Sequence, residues 1–191
     1  MTHLKKIAAL SALLIATALT GAASAQISAS GTITSTPLGG GVNQFKIALT
    51  NTGSQSIGTF WFSWLPGYDF MSVAPTNITV PTGWVGSAFT DGPPEGYSLE
   101  TYNVAGPSSQ LAAGATDNFS FDSTETLAQI SGPGVGPLGG FYDQTFSYIY
   151  SGLPESGSAN TLSVTPVVPE PVSASMIALS AGGLLLRRRR A

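Results

Sequence analysis

The chain has 191 residues, 42% of them hydrophobic and only 9% charged, with no cysteine and one histidine, His3, near its start. Disulfides, thiol catalysis, Cys/His zinc sites and a histidine-dependent triad are thereby excluded from everything after the first few residues. Residues 26–171 keep Lys46 alone against all ten carboxylates, which excludes the basic face that a nucleic-acid binder needs to displace counterions.

Residues 1–25 read as a secretory signal. Lys5 and Lys6 form a basic start, Ile7 to Leu19 an apolar stretch, and Ala23-Ser24-Ala25 a small-residue site that predicts cleavage before Gln26. The apolar stretch is too short to span a bilayer. Sec-type export machinery is the partner such a segment implies.

Residues 26–168 are expected to form one all-β domain, an antiparallel β-sandwich of immunoglobulin-like or jelly-roll type. Short alternating runs separated by Gly, Pro and Asn recur along it. A weak strand is expected over Ile27–Ile33. Asn43–Thr50 alternates cleanly, with Phe45, Ile47 and Leu49 on one face and Gln44, Lys46 and Thr50 on the other; Asn51-Thr-Gly53-Ser is a turn. Thr59–Leu65 is expected to put Phe60, Phe62 and Trp64 on one face and Trp61, Ser63 and Leu65 on the other. Weak strands follow over Phe70–Val73, Ile78–Val80 and Trp84–Phe89. Period-two patterns then cover Tyr97–Tyr102, Thr116–Asp122, Thr145–Ser151 and Asn160–Thr165, for nine to ten strands. Thr126–Ile130 suits one helical turn at most, and Gly132 to Gly140 a long glycine-rich loop.

The end of the chain has a different character. Pro169-Glu170-Pro171 precedes an apolar run, Val172 to Leu186, and then Arg187, Arg188, Arg189 and Arg190. Fifteen helical residues rise roughly 22 Å, short of the roughly 30 Å hydrocarbon core, so this helix suits transient rather than permanent anchoring. The arginines would stay cytoplasmic and leave everything before Pro169 outside.

Pro169-Glu170-Pro171, the short apolar helix and the arginine cluster, in this order, resemble the PEP-CTERM sorting signal of bacterial exported proteins, over residues 169–191. The resemblance implies processing near Pro-Glu-Pro by a membrane-embedded exosortase, with these residues as recognition elements for that enzyme. It also implies transient inner-membrane anchoring, then residence at the outer surface or in an extracellular matrix, often beside exopolysaccharide or biofilm genes. In the body, Asn51-Thr-Gly-Ser, Ile57 to Met71, Pro81-Thr-Gly-Trp84 and Leu111-Ala-Ala-Gly114 with Phe119-Ser-Phe121 are similar to segments of other uncharacterised members. The Leu111-x-x-Gly114 pattern followed by alternating aromatics also resembles immunoglobulin-like surface modules.

Four kinds of chemistry stay open to the body. A carboxylate-dependent glycan-active enzyme would draw on Asp69, Asp91, Glu95 and Glu100, but nothing in their spacing pairs them, and they read equally as surface and turn charges. A serine nucleophile would need Lys46, which sits on the polar face of a strand. Calcium would find only hard oxygen ligands, from Asp117-Asn118 with Asp122 and Glu125, or from Asp91 with Glu95, and neither set has the spacing of a calcium loop. Glycan contact is better motivated, because aromatic faces cover the C–H surfaces of sugars. Trp61, Trp84, Tyr102, Tyr142 and Tyr148 are its candidates wherever they are not core. The 36 Ser/Thr residues of 26–171 suit a hydrated extracellular module. A non-enzymatic structural or adhesive protein is expected, with extracellular polysaccharide as partner and no cofactor or metal.

Overall fold

The computed structural model describes residues 25–92, 95–137 and 141–168. The expected signal up to Ser24, and the sorting motif from Pro169 through Arg190, lie outside these residues. Among the described residues no helix is long and apolar enough to cross a membrane.

The strands are β1 (Ala29–Gly39), β2 (Val42–Asn51), β3 (Thr59–Phe62), β4 (Trp64–Leu65), β5 (Tyr68–Asp69), β6 (Thr76–Thr79), β7 (Trp84–Phe89), β8 (Ser98–Asn103), β9 (Thr116–Ser123), β10 (Phe146–Tyr150) and β11 (Ala159–Pro166). One helical turn, α1 (Leu127–Ile130), follows β9; Thr126 and Gln129 close a reciprocal capping box at its start. Nine strands form one sheet in the order β6-β9-β2-β1-β11-β10-β3-β8-β7, and β4-β5 is a separate hairpin.

This sheet curls until its two edges meet. A Cβ added to Gly86 on β7 would lie 2.8 Å from Val80 and 2.9 Å from Ile78, beside edge strand β6. The two halves of the sheet face each other across the core. Phe60 on β3 meets Phe119 on β9 at 5.1 Å between ring centroids, Phe62 meets Phe121 at 5.8 Å, and Trp84 meets Phe119 at 5.3 Å. The inward set follows from alternation: Phe45, Ile47 and Leu49 are fully buried, as are Phe60, Phe62, Phe119 and Phe121.

Three local expectations are corrected. The sheet is not wholly antiparallel, since β1 pairs in parallel with β11 through Gly31–Val164 to Ile33–Pro166 and so joins the two halves. Phe70–Val73 holds only a single bridge, Met71 to Tyr97. Ser63 takes a positive φ of 62°, which interrupts β3 and reverses the alternation, so Trp64 joins Trp61 instead of Phe60 and Phe62. The glycine-rich stretch after Ile130 is tied down where it is described: Gly134 N–H donates to Tyr142 O and Val135 N–H to Phe70 O.

The turn at Asn51 shows why its residues are what they are. Its buried side chain donates to Gln55 O and Leu111 O and accepts from Gly53 N–H. A Cβ at Gly53 would stand 2.3 Å from Gln26 O, so only glycine fits beside the Gln26–Ser28 backbone.

Candidate functional site

The register of β10, β3, β8 and β7 sets Tyr148, Trp61, Glu100 and Ser87 side by side, with Tyr150, Thr59, Tyr102 and Val85 in the next row. Their neighbours along each strand, Ile149, Phe60 and Leu99, point into the core, so these two rows lie on the outer face. The Ser63 kink brings Trp64 back over Trp61, edge to face at 4.2 Å and 84°. Tyr150 closes on Trp61 at 5.8 Å and Tyr148 on Trp64 at 5.5 Å. This second aromatic cluster is separate from the core.

Beside it opens a cleft of about 510 Å³. Trp61 and Trp64 line it and are themselves nearly buried, while Phe89, 39% exposed, and half-buried Tyr102 present more surface. Asp91, Glu100 and Glu155 supply the charge, and Gly67 and Pro154 complete the lining. The indole N–H of Trp61 is buried without an acceptor among the described residues.

Glu100 is the electrostatic centre of this cleft. Burial raises its carboxyl from 4.5 to about 7, helped by the negative charges of Asp69, Asp91 and Glu155. Burial also raises the Tyr150 hydroxyl to about 12, with Tyr148, Glu155 and Glu100 adding to the shift. The site therefore combines flat apolar rings with a carboxyl that changes protonation near neutrality.

The other sequence candidates fall elsewhere. Trp84 is turned into the core, 6% exposed; it packs on Phe119 and its indole N–H donates to Ser109 O at 2.9 Å, leaving no face for a sugar. Tyr142 is half-buried between Phe70 at 5.7 Å and Phe146 at 4.8 Å and does not line the cleft. Ala23 lies outside the described residues; Ala25 is exposed, and Gln26 O accepts from the Ser54 and Gln55 amides.

The two expected calcium sets fare differently. Asp122 bonds Asn77, Glu125 lies near Gln144 and Ser72, and Asp117 lines a separate cleft of about 400 Å³ with Pro81 and Ser109, so Asp117, Asp122 and Glu125 do not converge. Asp91 and Glu95 do come together, and they are joined by Asp69: one oxygen of each lies within 4.8 Å of the others. The spacing of these three carboxylates along the chain pairs Asp69 with neither of the others. Only the packing of the β4-β5 hairpin against Asp91 and Gly96–Tyr97 brings Asp69 to them.

No protein-family model matches the chain, and no curated protein matches it. Among solved structures it is similar to a GH20 exo-β-N-acetylglucosaminidase from Vibrio harveyi, with a TM-score of 0.38 and 12% identity over 73% of this chain. The chain spans only 18% of that enzyme's length. It is also similar to a chitin-binding domain from Streptomyces coelicolor, with a TM-score of 0.31 and 24% identity over 50% of this chain and 78% of that one. At such scores neither likeness defines a shared fold.

Proposed function

We propose that this chain is an exported structural or adhesive protein of the cell surface or extracellular matrix, whose β domain holds polysaccharide in the Trp61–Tyr102 cleft. The observation that carries this reading is the open, acidic cleft in which Phe89 and Tyr102 expose ring surface beside the nearly buried Trp61–Trp64 cluster, since exposed rings cover sugar C–H faces while carboxylates orient hydroxyls. The two facing halves of the sheet are taken as the layers of a flattened, immunoglobulin-like or jelly-roll sandwich.

Export by the Sec machinery and processing by an exosortase near Pro169-Glu170-Pro171 belong to the same proposal, as do transient inner-membrane anchoring and the cytoplasmic Arg187 to Arg190 cluster. Gln26 O accepts from the Ser54 and Gln55 amides and Val167 N–H donates to Ile33 O, so cuts before Gln26 and after Val168 would spare these hydrogen bonds.

A second reading has one specific observation in its favour. A carboxyl near pH 7 in an aromatic cleft, with Asp91 and Glu155 on the same walls, is the environment of a general acid in glycoside cleavage. Incubating the full-length protein with its host's extracellular polysaccharide, and measuring co-sedimentation and new reducing ends together, separates the readings. Binding without new ends is the expected result. New ends that vanish in Glu100→Gln would move the chain to the enzymes, and neither signal would remove the glycan proposal.

A further inference from the structure

Asp69 is fully buried on β5, directly across the hairpin from Trp64. Its Oδ2 accepts the Asp91 N–H at 2.9 Å, while its Oδ1 is buried with no hydrogen-bond partner. Glu95 Oε2 is buried and unpartnered as well. Ser98 Oγ, also fully buried, lies near enough to moderate the Asp69 charge but makes no regular hydrogen bond. A buried, unpaired carboxylate oxygen costs free energy, and two of them within one group of three carboxylates cost more.

Among the described residues no side-chain cation relieves that cost. Lys46 is the only basic side chain among them, and it projects to solvent from β2, across the sheet from β3 and β8. Burial, then the charges of Asp91 and Glu95, hold the Asp69 carboxyl above its usual range, against the lowering influence of Ser98 and the Asp91 amide. The surroundings are already set: Gly96 N–H donates to Asp69 O at 3.1 Å, and Met71 and Tyr97 exchange both of their backbone hydrogen bonds at 2.8 Å. A Cβ at Gly96 would meet Met71 O at 2.4 Å, so the two segments touch as closely as backbones allow.

From this geometry we propose that Asp69, Asp91 and Glu95 bind a calcium ion, which pins Asp91 and Glu95 to the β4-β5 hairpin at the wall of the cleft. The donors are all hard oxygens, as calcium prefers, and ligands about 2.4 Å from one ion can stand up to about 4.8 Å apart. Ser98 Oγ and water are available to fill further positions. The site stands apart from the glycan reading, because it holds whether or not the cleft takes a sugar.

The test is a titration of EDTA-stripped full-length protein with calcium chloride by calorimetry, paired with terbium luminescence excited through tryptophan. One ion per chain is expected, with Tm rising by about 5–10 °C at a hundredfold excess over Kd. Terbium emission should fall in Trp64→Phe, because Trp64 sits opposite Asp69, without loss of calcium affinity. Asp91→Asn and Glu95→Gln should weaken binding at least tenfold while leaving the circular dichroism spectrum unchanged; Asp117→Asn should leave affinity unchanged. Asp91 is exposed, so its variant decides the matter even if Asp69→Asn fails to fold. Absence of binding by folded protein at ~10 mM calcium, wild-type affinity in both variants, tighter binding of magnesium, or undimmed terbium emission in Trp64→Phe would each overturn the proposal.

Discussion

Replacing Glu100 by glutamine should change how stability depends on pH. Glu100 titrates at 4.5 in ordinary surroundings and at about 7 in the fold, raised first by burial and then by Asp69, Asp91 and Glu155. The folded state therefore holds a proton that the unfolded chain releases. The contribution is fully present below about pH 4.5 and is lost as pH rises through about 7. A shift of this size corresponds to at most about 3 kcal/mol, and the carboxylate keeps part of its contact with water, which cuts this by about half, to ~1.5 kcal/mol. Glutamine mimics the protonated acid and carries no such dependence. Urea unfolding in EDTA at pH 4.5 and pH 8 should thus show the wild type losing ~1.5 kcal/mol more than Glu100→Gln across the interval. Because Asp69, Asp117 and Glu125 are also raised by burial, only the difference between the two proteins isolates Glu100. Equal slopes in the two proteins would refute the buried, acid-repelled environment assigned to this carboxyl.

Trp84→Ala should cost about 4 kcal/mol in urea unfolding through lost packing on Phe119, whereas a loss under 1 kcal/mol would contradict its place in the core. Gly86→Val drives a side chain into Val80 and Ile78 where the sheet edges meet and should cost about 2–3 kcal/mol; a neutral effect on thermal melting would mean that the edges are apart. Intact mass spectrometry of the exported protein should find neither residues 1–25 nor Arg187 to Arg190, and a retained arginine cluster would contradict exosortase processing.

Much of the fold was legible because alternation alone determines faces. Phe45, Ile47 and Leu49 point inward as their spacing requires, and Thr126-x-x-Gln129 announces a single capped turn. Partner choice was not legible, because period two says which face is buried and nothing about which strand lies alongside. The parallel β1–β11 pair joins segments more than a hundred residues apart and carries no local mark. Ser63 misled for a related reason: a positive φ at a residue that is neither glycine nor asparagine has no signal in composition, and one such residue moves Trp64 to the other face. Of the aromatic candidates, Trp61 and Tyr102 reach the cleft and Trp84 does not, although all three sit in similar alternating runs. What distinguishes them is register, since Trp84 shares its face with Gly86 at the closing seam. Asp69 joined Asp91 and Glu95 only through a two-residue hairpin that no periodicity announces.

Polysaccharide binding in the cleft is tested most directly by tryptophan fluorescence. Two of the three tryptophans, Trp61 and Trp64, line the cleft, and Trp84 is in the core. Titrating the full-length protein with the host's purified extracellular polysaccharide should give a saturable spectral change. That change should be reduced at least tenfold in apparent affinity by Phe89→Ala with Tyr102→Ala, at unchanged Tm, and be kept by Asp117→Asn at the other cleft. A spectrum that does not respond to polysaccharide, or a response that the double variant leaves intact, would contradict glycan binding at this site.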